Sequence, residues 1–321
     1  MTKNSGNNQL RVGIVGMGPI GSTLAAHLIE AGAFVVPCDI NRNRIDQMKK
    51  MGIRLEGKIQ KEVDVTEGCY SVQELGRYDL DLVAISVKTS YLRDVTTQLS
   101  GMTSKKPFVM CVQNGLYNEL EIAEVVGEDR TLRMVVNYAG SMSNTNSVNV
   151  TFFNPPNYVA ALTPKGKAVE KQFAELLTSD GLETEIPDNI QHYVWEKAIL
   201  NAALAPVCAI TRLTMKEVMD SPEGLELAAA IIEESVQVAK AEGIEFDEDF
   251  KRFCVNYLKG GGYHRPSMLV DLEKGLPTEI DYLNGRIAEY GQKHNLPTPV
   301  NQSITTLIHL LESSQQERTT N

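Results

Sequence analysis

The chain has 321 residues, 42% hydrophobic and 22% charged, with 31 Lys and Arg against 41 Asp and Glu and a formal net charge of −10. That length suits two domains, and the apolar share is enough for a substantial core. An acidic balance with no long basic run argues against nucleic acid and anionic membrane partners, and no run of about 18 or more apolar residues stands out to span a bilayer.

Met1 to Gln9 is polar, without the apolar stretch of a signal peptide, and is expected to be a disordered tail. Cys38, Cys69, Cys111, Cys208 and Cys254 are scattered, with no C-x-x-C pair. Neither a zinc site nor a dithiol is indicated, and the thiols are expected to be small buried hydrophobes in a reducing cytoplasm. The histidines show no metal-ligand spacing, so no metal is expected.

The apolar run Leu10 to Val15 leads into Gly16-Met17-Gly18-Pro19-Ile20-Gly21 and then a helical pattern from Ile20 to Ala31. Strand, glycine loop and helix in that order are the context that gives G-x-G-x-x-G its meaning as a dinucleotide site. The first glycine permits the tight turn, the second lets a pyrophosphate approach, and the third lets helix and strand pack. The loop backbone, Met17, Pro19 and Ile20 included, then faces the anion at the helix start. A structural glycine turn in another α/β protein is the plainer alternative. The next strand, Phe34 to Cys38, ends at Asp39, whose carboxylate can accept both ribose hydroxyls of NAD and repels the extra phosphate of NADP.

Beyond it the sequence predicts a helix from Arg42 to Met51, an irregular polar stretch through Gly68, and a buried strand from Leu80 to Val87. A helix over Tyr91–Leu99, a strand over Pro107–Val112 and a helix over Glu119–Val126 follow. Leu132–Ala139 and Val148–Phe153 read as strands, Gly166–Thr178 as a helix and Leu182–Ile186 as a closing strand. Alternating strands and helices predict a doubly wound parallel sheet of Rossmann type over residues 10–188. From Ile190 onward the periodicity is helical, in segments 190–205, 214–220, 223–242, 247–258, 278–294 and 300–312, predicting an all-helical domain over 189–321. Thr278 with Asp281 resembles a helix N-cap with an acidic third position.

Ligands of open α/β sheets lie beyond the carboxyl ends of the strands. Lys88 and the triplet Gln113-Asn114-Gly115 stand there, although a solvated lysine and an ordinary turn pair are the bland readings. Lys197 and Asn201 are one helical turn apart among Ala, Ile and Leu. Partial desolvation would lower the pKa of such a lysine toward general-acid range. A lysine snorkelling from a buried helix fits the same pattern.

With Ser267-Met268-x-x-Asp271 and Thr278-Glu279-Ile280-Asp281, these motifs in this order resemble the ketopantoate reductases (2-dehydropantoate 2-reductases), from Val12 to about Leu311. The resemblance implies an NAD(P)-dependent oxidoreductase that reduces a 2-oxo acid to the (R)-2-hydroxy acid. It implies Lys197 as general acid with Glu279 as its partner, and Asn114, Asn201 and Ser267 as substrate ligands, while the strand-end position places Lys88 and Asn114 to meet the cofactor's nicotinamide half or a substrate. It also makes a homodimer plausible. Two positions depart from the family pattern: Ala205 and His264 stand where asparagines are common. Lost amide hydrogen bonds weaken the case for ketopantoate itself and favour a less hydroxylated 2-oxo acid, with His264 reading its tail. Asp39 is a third departure, and NAD(H) is expected over the NADP(H) the family favours, although Arg42 and Arg44 are near enough to meet a 2′-phosphate. The competing readings are an NAD-dependent D-2-hydroxyacid dehydrogenase, a β-hydroxyacid dehydrogenase and a non-catalytic NAD(H)-binding protein.

Overall fold

The structure, a computed structural model, describes residues 9–102 and 106–320, the last five as backbone. Apart from Gln9, the expected N-terminal tail lies outside the described residues. Gln9 itself donates from Nε2 to the Gly32 carbonyl at 2.9 Å.

The chain forms two compact units, one running to Gln113 and from Tyr117 to Ile190, the other comprising Asn114–Leu116 and everything from Gln191. The first unit begins with β1 (Arg11–Val15), α1 (Pro19–Glu30), β2 (Phe34–Cys38), α2 (Arg42–Met51), β3 (Ile53–Gly57) and β4 (Lys61–Val63). It continues through β5 (Leu82–Ile85), α3 (Leu92–Ser100), β6 (Phe108–Cys111), α4 (Asn118–Val126) and β7 (Thr131–Val135). It closes with β8 (Tyr138–Met142), β9 (Ser147–Phe153), β10 (Asn157–Ala161), α5 (Lys167–Ser179) and β11 (Thr184–Glu185).

Seven strands make the main sheet in the order β11-β10-β7-β6-β5-β1-β2. All its pairings are parallel except β10 against β7. Central strands covered on both faces read as continuous apolar runs, which is why β1, β5 and β6 were legible. The chain leaves β1 toward β2 on one side and returns to β5 on the other. The sheet therefore reverses its winding between β1 and β5, where doubly wound folds bind ligands.

The sequence reading needs correction at a second sheet, β4-β3-β9-β8. The polar stretch before Gly68 supplies β3 and β4, and Leu132–Ala139 is not one strand. It breaks after Val135, and β8 resumes at Tyr138 in the second sheet, pairing with β9 across a bulge at Ala139/Gly140. Helix α1 shares one core with Val12 and Ile14 of the main sheet and with Ile53, Leu55, Val148 and Val150 of the second. Every residue from Gly21 to Leu28 is buried, and a helix buried all round has little polar face.

The second unit is helical among the described residues. Its elements are α6 (Ile190–Thr211), α7 (Met215–Asp220), α8 (Pro222–Ala241), α9 (Phe250–Lys259), α10 (Ser267–Glu273), α11 (Asn284–Lys293) and α12 (Pro299–Thr320). By length and a mean hydropathy of 1.2, α6 is long and apolar enough to cross a membrane, but 72% of that window is buried within the protein. The proposed cap at Thr278 is a misreading. Only a 3-10 turn, Ile280–Tyr282, follows it, and α11 starts at Asn284 without a side-chain cap. Asp281 instead accepts from His309 Nε2 at 2.8 Å.

Candidate active site

The glycine loop follows β1 at the reversal point of the main sheet. Gly16 has φ +96°, and a Cβ there would lie 2.7 Å from the Val87 nitrogen. Its N–H donates to Cys38 O at 2.8 Å, and Ser86 Oγ donates to its carbonyl at 2.7 Å. A Cβ on Gly21 would stand 2.1 Å from Gly16 O. Those two glycines are dictated by close packing. Gly18 is different, since nothing lies within 4 Å of where its Cβ would be. No protein neighbour demands glycine there, whereas a close-approaching pyrophosphate does. Gly18 is also the N-cap of α1, with Pro19 next, no side-chain cap and no acidic residue in the first turn. The N–H groups at this helix start are thus not neutralised by a carboxylate of that turn and suit an anion. The residues present fit a dinucleotide.

Asp39, at the end of β2, is bonded to the same loop. Its Oδ2 accepts from the Met17 N–H at 2.8 Å and from Arg44 at 3.0 Å, and its Oδ1 from the Asn41 N–H at 2.8 Å. An ionised carboxylate offers about four acceptor sites, so room remains for a ribose hydroxyl. The charge of Arg44 is compensated by Asp39. Lys88 is half-buried three residues past β5, and its carbonyl accepts from the Tyr91 N–H at 2.9 Å.

Asn114, Lys197, Asn201, His264, Ser267 and Glu279 all belong to the helical unit. Asn114 was read with the strand before it, but residues 114–116 attach elsewhere: the Leu116 N–H donates to Tyr282 O at 2.9 Å. The turn holding Tyr282 begins at Glu279, whose carbonyl accepts from the Tyr282 N–H at 3.1 Å. At its end, Asn284 Nδ2 donates to Ala202 O on α6 at 3.1 Å. One turn thus connects the Asn114 segment, Glu279 and the residue after Asn201. Lys197, Asn201, Asn114 and Glu279 are half-buried. Ala205 is buried and apolar, 8% exposed. Ser267 is the exposed first residue of α10, an element the sequence reading passed over. The His264 carbonyl accepts from the Met215 N–H at 3.1 Å, and partial desolvation pulls its imidazole below the usual 6.5. The sequence reading did not single out Asn284, although a proline within α6, which has no N–H for the Ala202 carbonyl, is a clue to it.

A doubly wound sheet with a glycine loop at its reversal point and a helical unit carrying a lysine–asparagine helix define a nicotinamide-dependent oxidoreductase class. Two family models match, ketopantoate reductase over residues 12–163 and its C-terminal domain over 189–312. The chain is 30% identical over 304 residues to a 2-dehydropantoate 2-reductase of Archaeoglobus fulgidus, covering 94% of this chain and 98% of that one. It is 28% identical over 307 residues to one of Aquifex aeolicus, covering 93% and 96%. A D-mandelate dehydrogenase solved with NADH and anilino(oxo)acetate superposes with a TM-score of 0.85 at 25% identity, over 96% of this chain and 99% of that one. A ketopantoate reductase structure from Ralstonia eutropha gives 0.84 at 24%, over 96% and 100%. The chain belongs to the ketopantoate reductase family and is an NAD(P)-dependent oxidoreductase.

Proposed function

We propose that the protein reduces a 2-oxo acid to the (R)-2-hydroxy acid, in the manner of a 2-dehydropantoate 2-reductase, with NADH preferred to NADPH. The observation that carries this reading is the single turn that joins the Asn114 segment, Glu279 and the Lys197–Asn201 helix within one unit. A bound reduced nicotinamide supplies the hydride to C2. Lys197 donates the proton to the developing alkoxide and stabilises its charge. Glu279 orients that ammonium or holds a substrate hydroxyl. Asn114 and Asn201 donate to substrate oxygens, and Ser267 meets the carboxylate. The preference for NADH rests on Asp39, which sits against the loop and neutralises Arg44, so a 2′-phosphate would meet a carboxylate there rather than an uncompensated cation. The buried thiols suit a reducing compartment such as the cytoplasm.

A second reading, a dehydrogenase acting on a less hydroxylated or aromatic 2-oxo acid, draws on Ala205. A buried methyl where the family commonly has an amide offers a substrate hydroxyl nothing to bond. The likeness to D-mandelate dehydrogenase points the same way. Steady-state oxidation of NADH and NADPH with ketopantoate and with branched and aromatic 2-oxo acids tests both. The expected result is turnover with NADH at the higher kcat/KM. Cofactor binding with no turnover of any 2-oxo acid would leave only a binding protein and reject the reductase.

A further inference from the structure

We propose that Asn284 is a positioning residue for the helix that carries Lys197 and Asn201. Its side-chain amide supplies the hydrogen bond that Pro206 withholds from that helix. The catalytic consequence rests on the reductase reading above, while the structural claim stands on its own.

Pro206 lies inside α6, whose helical run extends from Ile190 to Thr211. A proline within a helix has no N–H for the carbonyl four residues back, and its ring crowds that same carbonyl. Here the carbonyl is that of Ala202, next to Asn201. A buried carbonyl without a donor is costly, and such a break is where helices bend. Ala202 is fully buried, and Asn284 Nδ2, from another element, reaches its carbonyl at 3.1 Å.

The orientation of Asn284 is set by a chain of fixed polarity. The Glu234 carboxylate on α8 only accepts: Oε1 takes the Val300 N–H at 2.9 Å, and Oε2 takes the Asn301 N–H at 2.9 Å and Asn301 Nδ2 at 2.7 Å. Asn301 must therefore present its oxygen to Asn284, which donates to it at 3.0 Å. Asn284 and Asn301 are both 0% exposed. The Asn284 amide thus spends its donors on two acceptors, while its own Oδ1 is buried with no hydrogen-bond partner. An amide kept in place despite an unmatched oxygen is held for its N–H groups. It does not cap its own helix, since α11 has no side-chain cap. The result is a brace from α8 through α12 and α11 to the orphaned turn of α6. It ends beside Asn201 and one turn beyond Lys197.

A two-by-two set of variants tests this: wild type, Asn284→Ala, Pro206→Ala and the double substitution. Pro206→Ala returns a backbone N–H to the Ala202 carbonyl, so the side-chain donor becomes dispensable. Asn284→Ala is expected to lower kcat at least about tenfold, as misplacement of reacting groups does, while NADH affinity is unchanged. Amide exchange across residues 197–205 should quicken. In the Pro206→Ala background the same substitution should cost far less in both measurements, a coupling that a general packing role would not produce. If Asn284→Ala does not fold, Asn284→Ser, which keeps a donor in a smaller side chain, replaces it in the same cycle. Equal losses of kcat and exchange protection in both backgrounds would overturn the proposal. So would an Asn284→Ala enzyme with unchanged kcat and exchange. If wild type turns over no 2-oxo acid, the reductase reading fails by itself, and the exchange cycle still supports or overturns the brace.

Discussion

The α/β unit and the helical unit hold their candidate ligand groups by different means. In the first, backbone geometry and short-range bonds do it: Gly16 turns at φ +96°, its N–H is tied to Cys38 O, and the Met17 N–H is held by the Asp39 carboxylate. In the second, side-chain amides and a carboxylate do it across long separations, 82 residues from Asn284 to Ala202 and 67 from Asn301 to Glu234. A backbone-built site is conformationally strict, and a glycine is hard to replace in it. A side-chain-built site can exchange an amide for a methyl without changing the fold.

The largest expected effect separates the two halves directly. Lys197→Ala should lower kcat by roughly 10²–10⁴, the usual worth of a positioned proton donor, and leave NADH affinity intact. Stopped-flow hydride transfer together with a fluorescence titration of NADH reads both. An unchanged kcat would move proton donation to another residue, and weakened NADH binding would show that the lysine serves the cofactor.

A smaller effect tests the backbone half. In Gly21→Ala the new methyl would sit 2.1 Å from Gly16 O and 2.5 Å from Ser86 Oγ, and the first of these is backbone that cannot swing away. A stability loss of about 1–3 kcal/mol is expected from such overpacking. Gly18→Ala adds its methyl to open space at an ordinary backbone conformation, φ −73°. It should melt like wild type but bind NADH at least about tenfold more weakly. Thermal unfolding and NADH titration of the two variants side by side decide the matter. A Gly18→Ala protein that binds NADH normally would remove the loop from the pyrophosphate.

The same contrast accounts for what the sequence revealed. The glycine loop, Asp39 and the Lys197–Asn201 spacing are local signals, because turns and helix faces are written in neighbouring residues. Strands β3 and β4 were passed over because they are short and carry Arg54, Glu56, Lys61 and Glu62, so the alternation of buried Ile53 and Leu55 with charge was hidden in a polar stretch. Partner β9 lies far along the chain, and no local pattern announces that pairing. The Thr278 cap failed for a different reason. Its hydroxyl accepts from the Ile280 N–H at 3.3 Å within a turn, and local cap chemistry looks alike whether or not a helix follows. Asn284 had no local signal at all. Pro206 was the clue, since a proline inside a helical pattern orphans a carbonyl and so calls for a distant donor.

The smallest effect lies far from both ligand halves and asks what steadies the α/β unit. Near the end of α1, the helix that begins at the glycine loop, His27 is 2% exposed and its Nδ1 lies 2.8 Å from Asp180 Oδ2. Lys61 of β4 donates to Asp180 Oδ1 at 2.9 Å, so the second sheet and the end of α5 meet α1 here. Burial pulls the His27 pKa below 6.5, and the Lys61 charge adds to this, against an opposing pull from Asp180. A histidine with a depressed folded pKa binds its proton more readily when unfolded. Stability from this group is therefore complete above about 6.5 and falls as pH drops from there through the lower folded value. Wild type should lose melting temperature between pH 7 and 5. His27→Gln, which keeps a donor for Asp180 and does not titrate, should lose distinctly less over the same range. Parallel declines in the two proteins would mean that the acid sensitivity lies elsewhere and that His27 with Asp180 and Lys61 does not govern the stability of the α/β unit.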